Sequence, residues 1–343
     1  MFPRNKLVVL ERSQLEEYKR KSLVGHWVLV KEPCEDLQKE KDKSLKQGRR
    51  YSGASNVSTR FTAENVMVRP GSAEGFLDVS GGGYLHSEGE RFDCDPFDRV
   101  NTVNADDNLL RLESFHTFTS VQRLSLRRNR LKSVRPIDGD LAETLIRLDV
   151  SENQLNPDDI YRLSLQSKLE QLYMLANNLT VIPESLSNCH CFLSLKLLDL
   201  SDNYLSCPRT FYMLSTMHNL QVLNLSNNRI SCIPYLITKQ ETDCTNSENQ
   251  TETFQDNEDM ENDKNYDTKE VVYHVYHIPF ANLNTINLSS NLIAHNSSVL
   301  PLICWPSLKN IILTANTICL NKHLIEFKKL IFTLSLFNIK TKR

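Results

Sequence analysis

Leu195-x-x-Leu198-x-Leu200-x-x-Asn203-x-Leu205 decides the fold, because its apolar and Asn positions return in one frame along most of the chain. The frame also reads Val121-x-x-Leu124-x-Leu126-x-x-Asn129-x-Leu131, Leu145-x-x-Leu148-x-Val150-x-x-Asn153-x-Leu155 and Leu169-x-x-Leu172-x-Met174-x-x-Asn177-x-Leu179. Further on come Leu220-x-x-Leu223-x-Leu225-x-x-Asn228-x-Ile230, Leu283-x-x-Ile286-x-Leu288-x-x-Asn291-x-Ile293 and Leu308-x-x-Ile311-x-Leu313-x-x-Asn316-x-Ile318. From Asn129 the asparagines step by 24, 24, 26, 25, 63 and 25 residues.

Steps of this size, with that frame, define a leucine-rich repeat. The expected fold is an α/β leucine-rich-repeat solenoid, a horseshoe with a concave parallel β-sheet and short helical or 3-10 connections on the convex side. In each short strand the Leu positions face the stacked core and the intervening positions face outward, because side chains alternate along a strand. The Asn amide has a backbone task, satisfying peptide groups in the turn that leaves the strand. Asn129, Asn153, Asn177, Asn203, Asn228, Asn291 and Asn316 are therefore expected to form a structural ladder.

Residues 1–72 are expected to be a basic, mostly disordered tail, with the β-prone run Leu23 to Val30 as an exception able to add an edge strand or dock onto the solenoid. Repeats should occupy 73–237, beginning with a degenerate copy in which Gly82 stands 26 residues before Asn108, followed by Val100-x-x-Val103-x-Ala105-x-x-Asn108-x-Leu110. Leu112, Phe115 and Phe118, and again Phe211, Leu214 and Met217, have the three-residue spacing of convex helical turns. The 63-residue step leaves about 38 residues beyond a normal repeat, and 238–270 is expected to be an acidic disordered insertion. Repeats continue over 271–343, with Val271 to Ile278 as the re-entry and Ile331-x-x-Leu334-x-Leu336 as half of a further copy. That half copy predicts an apparently truncated C-terminal end, since a solenoid should not finish with its apolar face bare.

The net charge of −2 is uneven: residues 1–60 hold 14 Lys and Arg against 8 Asp and Glu, and residues 241–270 hold 11 acids against 2 lysines. The basic run Lys39 to Arg50 reads as a solvated tail before it reads as a nuclear-localisation or nucleic-acid patch. Leu7 to Leu10 is too short for a signal-peptide core, and nine cysteines lack the clusters that cap extracellular repeats. An intracellular protein, cytoplasmic or nuclear, with reduced thiols and no membrane is expected. Cys189-His190-Cys191 lacks a second ligand pair at zinc spacing, Gly81-Gly82-Gly83 lacks the setting of a phosphate loop, and no catalytic motif is present. No enzyme activity, cofactor or metal is expected.

What remains is the concave face. Arg123, Arg127, Arg128 and Arg147 form a basic cluster on adjacent strands, and Tyr173, Leu175, Leu197 and Val222 form an outward apolar centre. An apolar centre rimmed by charge is how interface hot spots are built, and a protein partner with an apolar anchor and acidic residues would fit it. The arginines pairing with Asp149 and Glu152 is the competing reading, and nucleic acid is not the expected partner. Neither the partner's identity nor the oligomeric state is written in the residues.

Three runs carry a more specific resemblance: Gly25-His26-Trp27-Val28-Leu29-Val30, Asp107-Asn108-Leu109-Leu110 leading to Leu112-Glu113-Ser114-Phe115, and Asn228-Arg229-Ile230-Ser231-Cys232-Ile233-Pro234-Tyr235-Leu236. In these the chain resembles the X-ray radiation resistance-associated family of intracellular leucine-rich-repeat proteins. The resemblance implies a non-enzymatic scaffold in the cellular response to X-ray radiation, in cytoplasm and nucleus, and brings no catalytic residues. The acidic insertion and the abrupt end depart from the family. A ciliary or cytoskeletal leucine-rich-repeat adaptor is the alternative.

Overall fold

The computed structural model describes residues 6–11, 26–31, 75–86, 100–115, 118–137, 139–187, 191–238, 271–320 and 338–340. The basic run Lys39 to Arg50, the acidic insertion beyond Thr238, Cys189 and His190, and Ile331 to Leu336 lie outside the described residues. The chain divides into two compact units, Met1–Leu179 with His190–Asn203, and Thr180–Cys189 with Tyr204–Arg343.

In the first unit the strands are β1 (Lys6–Glu11), β2 (His26–Lys31), β3 (Gly75–Asp78), β4 (Tyr84–His86), β5 (Val100–Asn104), β6 (Arg123–Ser125), β7 (Arg147–Asp149), β8 (Gln171–Tyr173) and β9 (Leu197–Asp199). The repeat strands run parallel in the order β3-β5-β6-β7-β8-β9. Parallel pairing follows from the connection, which returns over the outer side and feeds each strand in the same direction. Each three-residue strand buries its middle residue, giving the column Leu124, Leu148, Leu172 and Leu198, and a second column of Leu126, Val150, Met174 and Leu200 lies below it. Burying one such side chain stabilises by about 1.5–3 kcal/mol, and the columns repeat that gain with every copy.

The turn after each strand has a feature the frame does not advertise. The residue before the ladder Asn takes a left-handed conformation: Asp107, Arg128, Glu152, Ala176 and Asp202 have φ of 58°, 54°, 54°, 53° and 54°. None is Gly, and a non-Gly residue there costs about 1–2 kcal/mol. The turn aims this residue's N–H at the next repeat, with Asp107 N donating to Arg127 O at 2.9 Å, Glu152 N to Leu175 O at 2.7 Å and Ala176 N to Ser201 O at 3.1 Å.

The Asn amide completes the turn. Asn153 Nδ2 donates to the carbonyls of Leu126, Val150 and Ser151 at 2.9, 2.9 and 3.0 Å, while its Oδ1 accepts the N–H groups of Asn129 and Leu131, both at 2.9 Å. Asn203 Nδ2 reaches Met174, Leu200 and Ser201, and its Oδ1 accepts from Asn177 and Leu179. Asn108 belongs to the same ladder: its Oδ1 accepts the Tyr84 N–H at 2.9 Å, as the Oδ1 of Asn129 accepts that of Leu110 at 2.8 Å. Gly82 stands one repeat earlier, and a Cβ there would lie 2.0 Å from the Tyr84 ring, so glycine is the residue that fits.

Helices cover the outer side where spacing allows. A 3-10 turn at Leu112–Phe115 buries Leu112 and Phe115, with Phe118 packed 5.5 Å from Phe115 between ring centres. Short α1 (Gly139–Thr144) precedes α2 (Pro157–Ser164), which sequence periodicity had not marked. Its cap explains it: Asn156 and Asp159 form a capping box on either side of Pro157, and Asp159 also accepts from Val134 N at 3.0 Å. Two strands lie in the 1–72 stretch, β1 in a run passed over as a short apolar patch and β2 in the β-prone run. They pair parallel, Leu7 opposite Trp27, and β2 pairs antiparallel with β4.

The second unit holds β10 (Val222–Asn224), β11 (Tyr235–Thr238), β12 (Val272–Val275), β13 (Thr285–Asn287), β14 (Asn310–Ile312) and β15 (Asn338–Lys340), with α3 at Arg209–Leu214. β10, β13, β14 and β15 run parallel, Val222 opposite Thr285, Thr285 opposite Asn310, and Asn310 opposite Asn338. The 63-residue step therefore leaves pairing intact, because the extra chain departs after β10 and returns before β13. The 271–278 stretch differs from a simple re-entry: β12 pairs parallel with β11 as a separate two-stranded ribbon, Tyr235 opposite Val272. Trp305 is buried against Phe280 and Phe211, at ring-centre distances of 4.3 and 6.0 Å.

Candidate protein-binding face

The outward positions of β6 to β9 form rows fixed by strand register. One row runs Arg123, Arg147, Gln171, Leu197, and the next runs Ser125, Asp149, Tyr173, Asp199. Arg147 and Tyr173 occupy different rows on adjacent strands, close enough for the guanidinium to lie over the ring, 4.5 Å from its centre. Such a stack at an exposed site is worth about 0.5–1 kcal/mol. Tyr173 Oη also faces Gln171 Oε1 at 3.4 Å, so the ring is held from two sides.

Leu197, half-exposed, stands beside Gln171 on the next strand, and half-exposed Leu175 follows Tyr173 into the turn. Neither is used by the core columns. Val222 has the equivalent half-exposed position in β10, in the second unit.

The other arginines are engaged within the repeats. Arg127 Nη2 pairs with Glu152 Oε1, and Arg128 Nε lies 2.8 Å from Asp107 Oδ1 with its Nη1 3.9 Å from Glu152 Oε2. Glu152 and Asp107 occupy the left-handed turn position, so one turn feature presents both the charge and its counter-charge. Burial opposes the charge of Arg127, but the Glu152 hydrogen bond and the nearby Asp149, Glu152 and Asp106 outweigh it and hold the guanidinium more firmly protonated. Asp106 goes the other way: burial pushes its carboxyl up and Asp149 adds to this, against hydrogen bonds from Ser125 and the Arg127 N–H. Asp149 and Asp199 are spent locally, accepting the N–H of Ser151 and Ser201 at 3.0 and 2.9 Å. The face therefore offers Arg147 beside Tyr173, Leu175 and Leu197. The Arg147–Tyr173 stack went unread in the sequence, although its signal was present: a third-position Arg followed one repeat later by a fifth-position Tyr.

Among the described residues no group of three or more His, Cys, Asp and Glu is placed to hold a metal ion. Cys191 is buried in the core. No helix of the described residues is long and apolar enough to cross a membrane.

A leucine-rich-repeat family model matches residues 219–239. Mouse X-ray radiation resistance-associated protein 1 is 28% identical over 244 residues, 62% of this chain and 31% of that protein. The chain thus spans about a third of the length of that relative. Among solved structures, an internalin C2 from Listeria monocytogenes is 15% identical with a TM-score of 0.38, covering 71% of this chain and 72% of that one. An internalin (inlF) from the same organism is 14% identical with a TM-score of 0.35, covering 70% and 74%. The repeats support a protein-interaction scaffold, and the chain is a leucine-rich-repeat solenoid similar in sequence to X-ray radiation resistance-associated protein 1.

Proposed function

We propose that this protein is a non-enzymatic interaction scaffold that binds a protein partner on the outward face of β6 to β9, and that it serves the cellular response to X-ray radiation in cytoplasm or nucleus. The observation that carries the binding reading is the Arg147 guanidinium over the Tyr173 ring, beside half-exposed Leu197 and Leu175. The fold asks for none of these four side chains, since the core columns are complete without them. An aromatic–arginine centre with aliphatic neighbours is the composition of an interface hot spot. Its partner is a protein with an apolar anchor for Leu197 and Tyr173 and a carboxylate for Arg147. The radiation-response part is supported by the likeness to the mouse relative alone.

The test takes a partner captured with the full chain and measures its affinity for Tyr173→Ala and Arg147→Glu. A hot-spot truncation costs about 2 kcal/mol or more, roughly 30-fold in Kd. Unchanged affinity in both variants would remove this face from the interface. For the radiation-response part, cells lacking the protein should survive X-rays differently from cells carrying it, and equal survival would refute that part while leaving the binding face standing.

A further inference from the structure

A second charged feature lies off the binding face, on the flank where the chain leaves the strands of two successive repeats. A cleft of 460 Å³ is lined by Leu109, Arg111 and Glu113 from one repeat and by Asn129 to Ser133 and Arg135 from the next. Four cations, Arg111, Arg130, Lys132 and Arg135, meet one anion there, Glu113, which lies 3.4 Å from Arg135. Among the described residues no ion pair engages the side chains of Arg111 or Lys132. Leu109 and buried Leu131 supply an apolar floor.

The repeat does not call for this charge. One repeat later the equivalents of Arg130 and Lys132 are Gln154 and Asn156, stacked directly on them: Gln154 N donates to Leu131 O at 2.8 Å, and Asn156 Nδ2 approaches Lys132 O at 3.5 Å. The basic patch is thus confined to two repeats. Nor does the ladder compete for a ligand with its own donors, since the Leu110 and Leu131 N–H groups are taken by the Asn129 and Asn153 side chains. Recognition in the cleft falls to the cations alone.

We propose that this cleft binds a phosphate-bearing ligand. Its volume is within the usual range of small-ligand sites, roughly 300–1,000 Å³. A carboxylate would answer one of Arg111 and Lys132, whereas a phosphate dianion answers both and accepts the paired N–H groups of an Arg fork. The phosphate is free or carried on a peptide side chain, and the two sources share this chemistry.

The full chain is titrated calorimetrically, at fixed salt, with inorganic pyrophosphate and with a phosphoserine peptide beside its unphosphorylated twin. Saturable binding of either phosphate probe is expected, lost at least tenfold in Arg111→Gln/Lys132→Gln and kept in Lys168→Gln, an exposed charge outside the cleft. A phosphopeptide tighter than pyrophosphate supports the peptide-borne source, and the reverse order supports the free anion. No saturable binding, an equal loss in Lys168→Gln, or tighter binding of a DNA duplex than of both probes would overturn the assignment. Affinity for the protein partner should survive the cleft substitutions, which keeps this test separate from that of the β6 to β9 face.

Discussion

Replacing Asn153 by Ala removes the acceptor of two buried N–H groups, those of Asn129 and Leu131, each 2.9 Å from its Oδ1. A buried donor left without an acceptor costs about 1–3 kcal/mol, so the two together set a range of about 2–6 kcal/mol. Three carbonyls also lose a donor, but this weighs less, because a carbonyl has two lone pairs and Val150 O keeps the Asn177 Nδ2 bond at 3.1 Å. The vacated space admits about one water, which returns part of the loss and brings the expected cost to about 2–4 kcal/mol. Urea unfolding followed by circular dichroism should show a lower midpoint with an unchanged slope, and hydrogen exchange should quicken at the Asn129 and Leu131 amides. Asn153→Asp separates donor from acceptor. It keeps the acceptor but sets a carboxylate against three carbonyl oxygens, which raises its folded pKa. It should therefore be as damaging as Ala at neutral pH and should recover as the pH falls, because the folded state then binds the extra proton. A loss under about 1 kcal/mol in Asn153→Ala, with both amides still protected, would refute the ladder as a source of stability.

Three further outcomes follow from other parts of the molecule. At Ala176, with φ of 53°, Gly should raise the melting temperature and Val should lower it, because glycine takes the left-handed region freely and a β-branched side chain clashes there, and equal melting temperatures would refute the strain. Burial, helped by the charge of His218, holds the His277 pKa below 6.5, so the unfolded chain binds the extra proton and stability present above pH 6.5 is lost as the pH falls. His277→Gln should flatten that slope in urea midpoints taken from about pH 7 to about pH 5, and parallel curves would refute it. Trp305→Ala should cost about 3–5 kcal/mol through the void left beside Phe280 and Phe211, and a smaller loss in Trp305→Phe, read by chemical denaturation, would mark volume as the cause.

Much of this fold is legible in eleven-residue frames, for a physical reason. A repeat touches only its neighbours, so the positions that bury, pair and cap recur in sequence at the spacing of the structure. Less local features were not legible. The left-handed residue before each Asn is Asp, Arg, Glu, Ala, Asn or Ser, and no residue type announces it, because hydrogen bonds to the turn of the next repeat hold the conformation on whatever stands there. The β11–β12 pairing was hidden because its strands are separated by the insertion. α2 was missed because its signal is a cap, Asn156 with Asp159, rather than an apolar period.

Leu195 to Leu205 shows the division most clearly. By itself the sequence determined that Leu195, Leu198, Leu200, Asn203 and Leu205 build the stack, since spacing alone assigns inward positions in a short strand. Only the tertiary structure decided what the outward residues do. Asp199 turns back to its own Ser201 N–H, Asp202 takes the strained turn position, and Leu197 stands half-exposed beside Gln171. These fates depend on which side chain the neighbouring repeat places alongside, and that is set by the register between strands rather than by the frame within one.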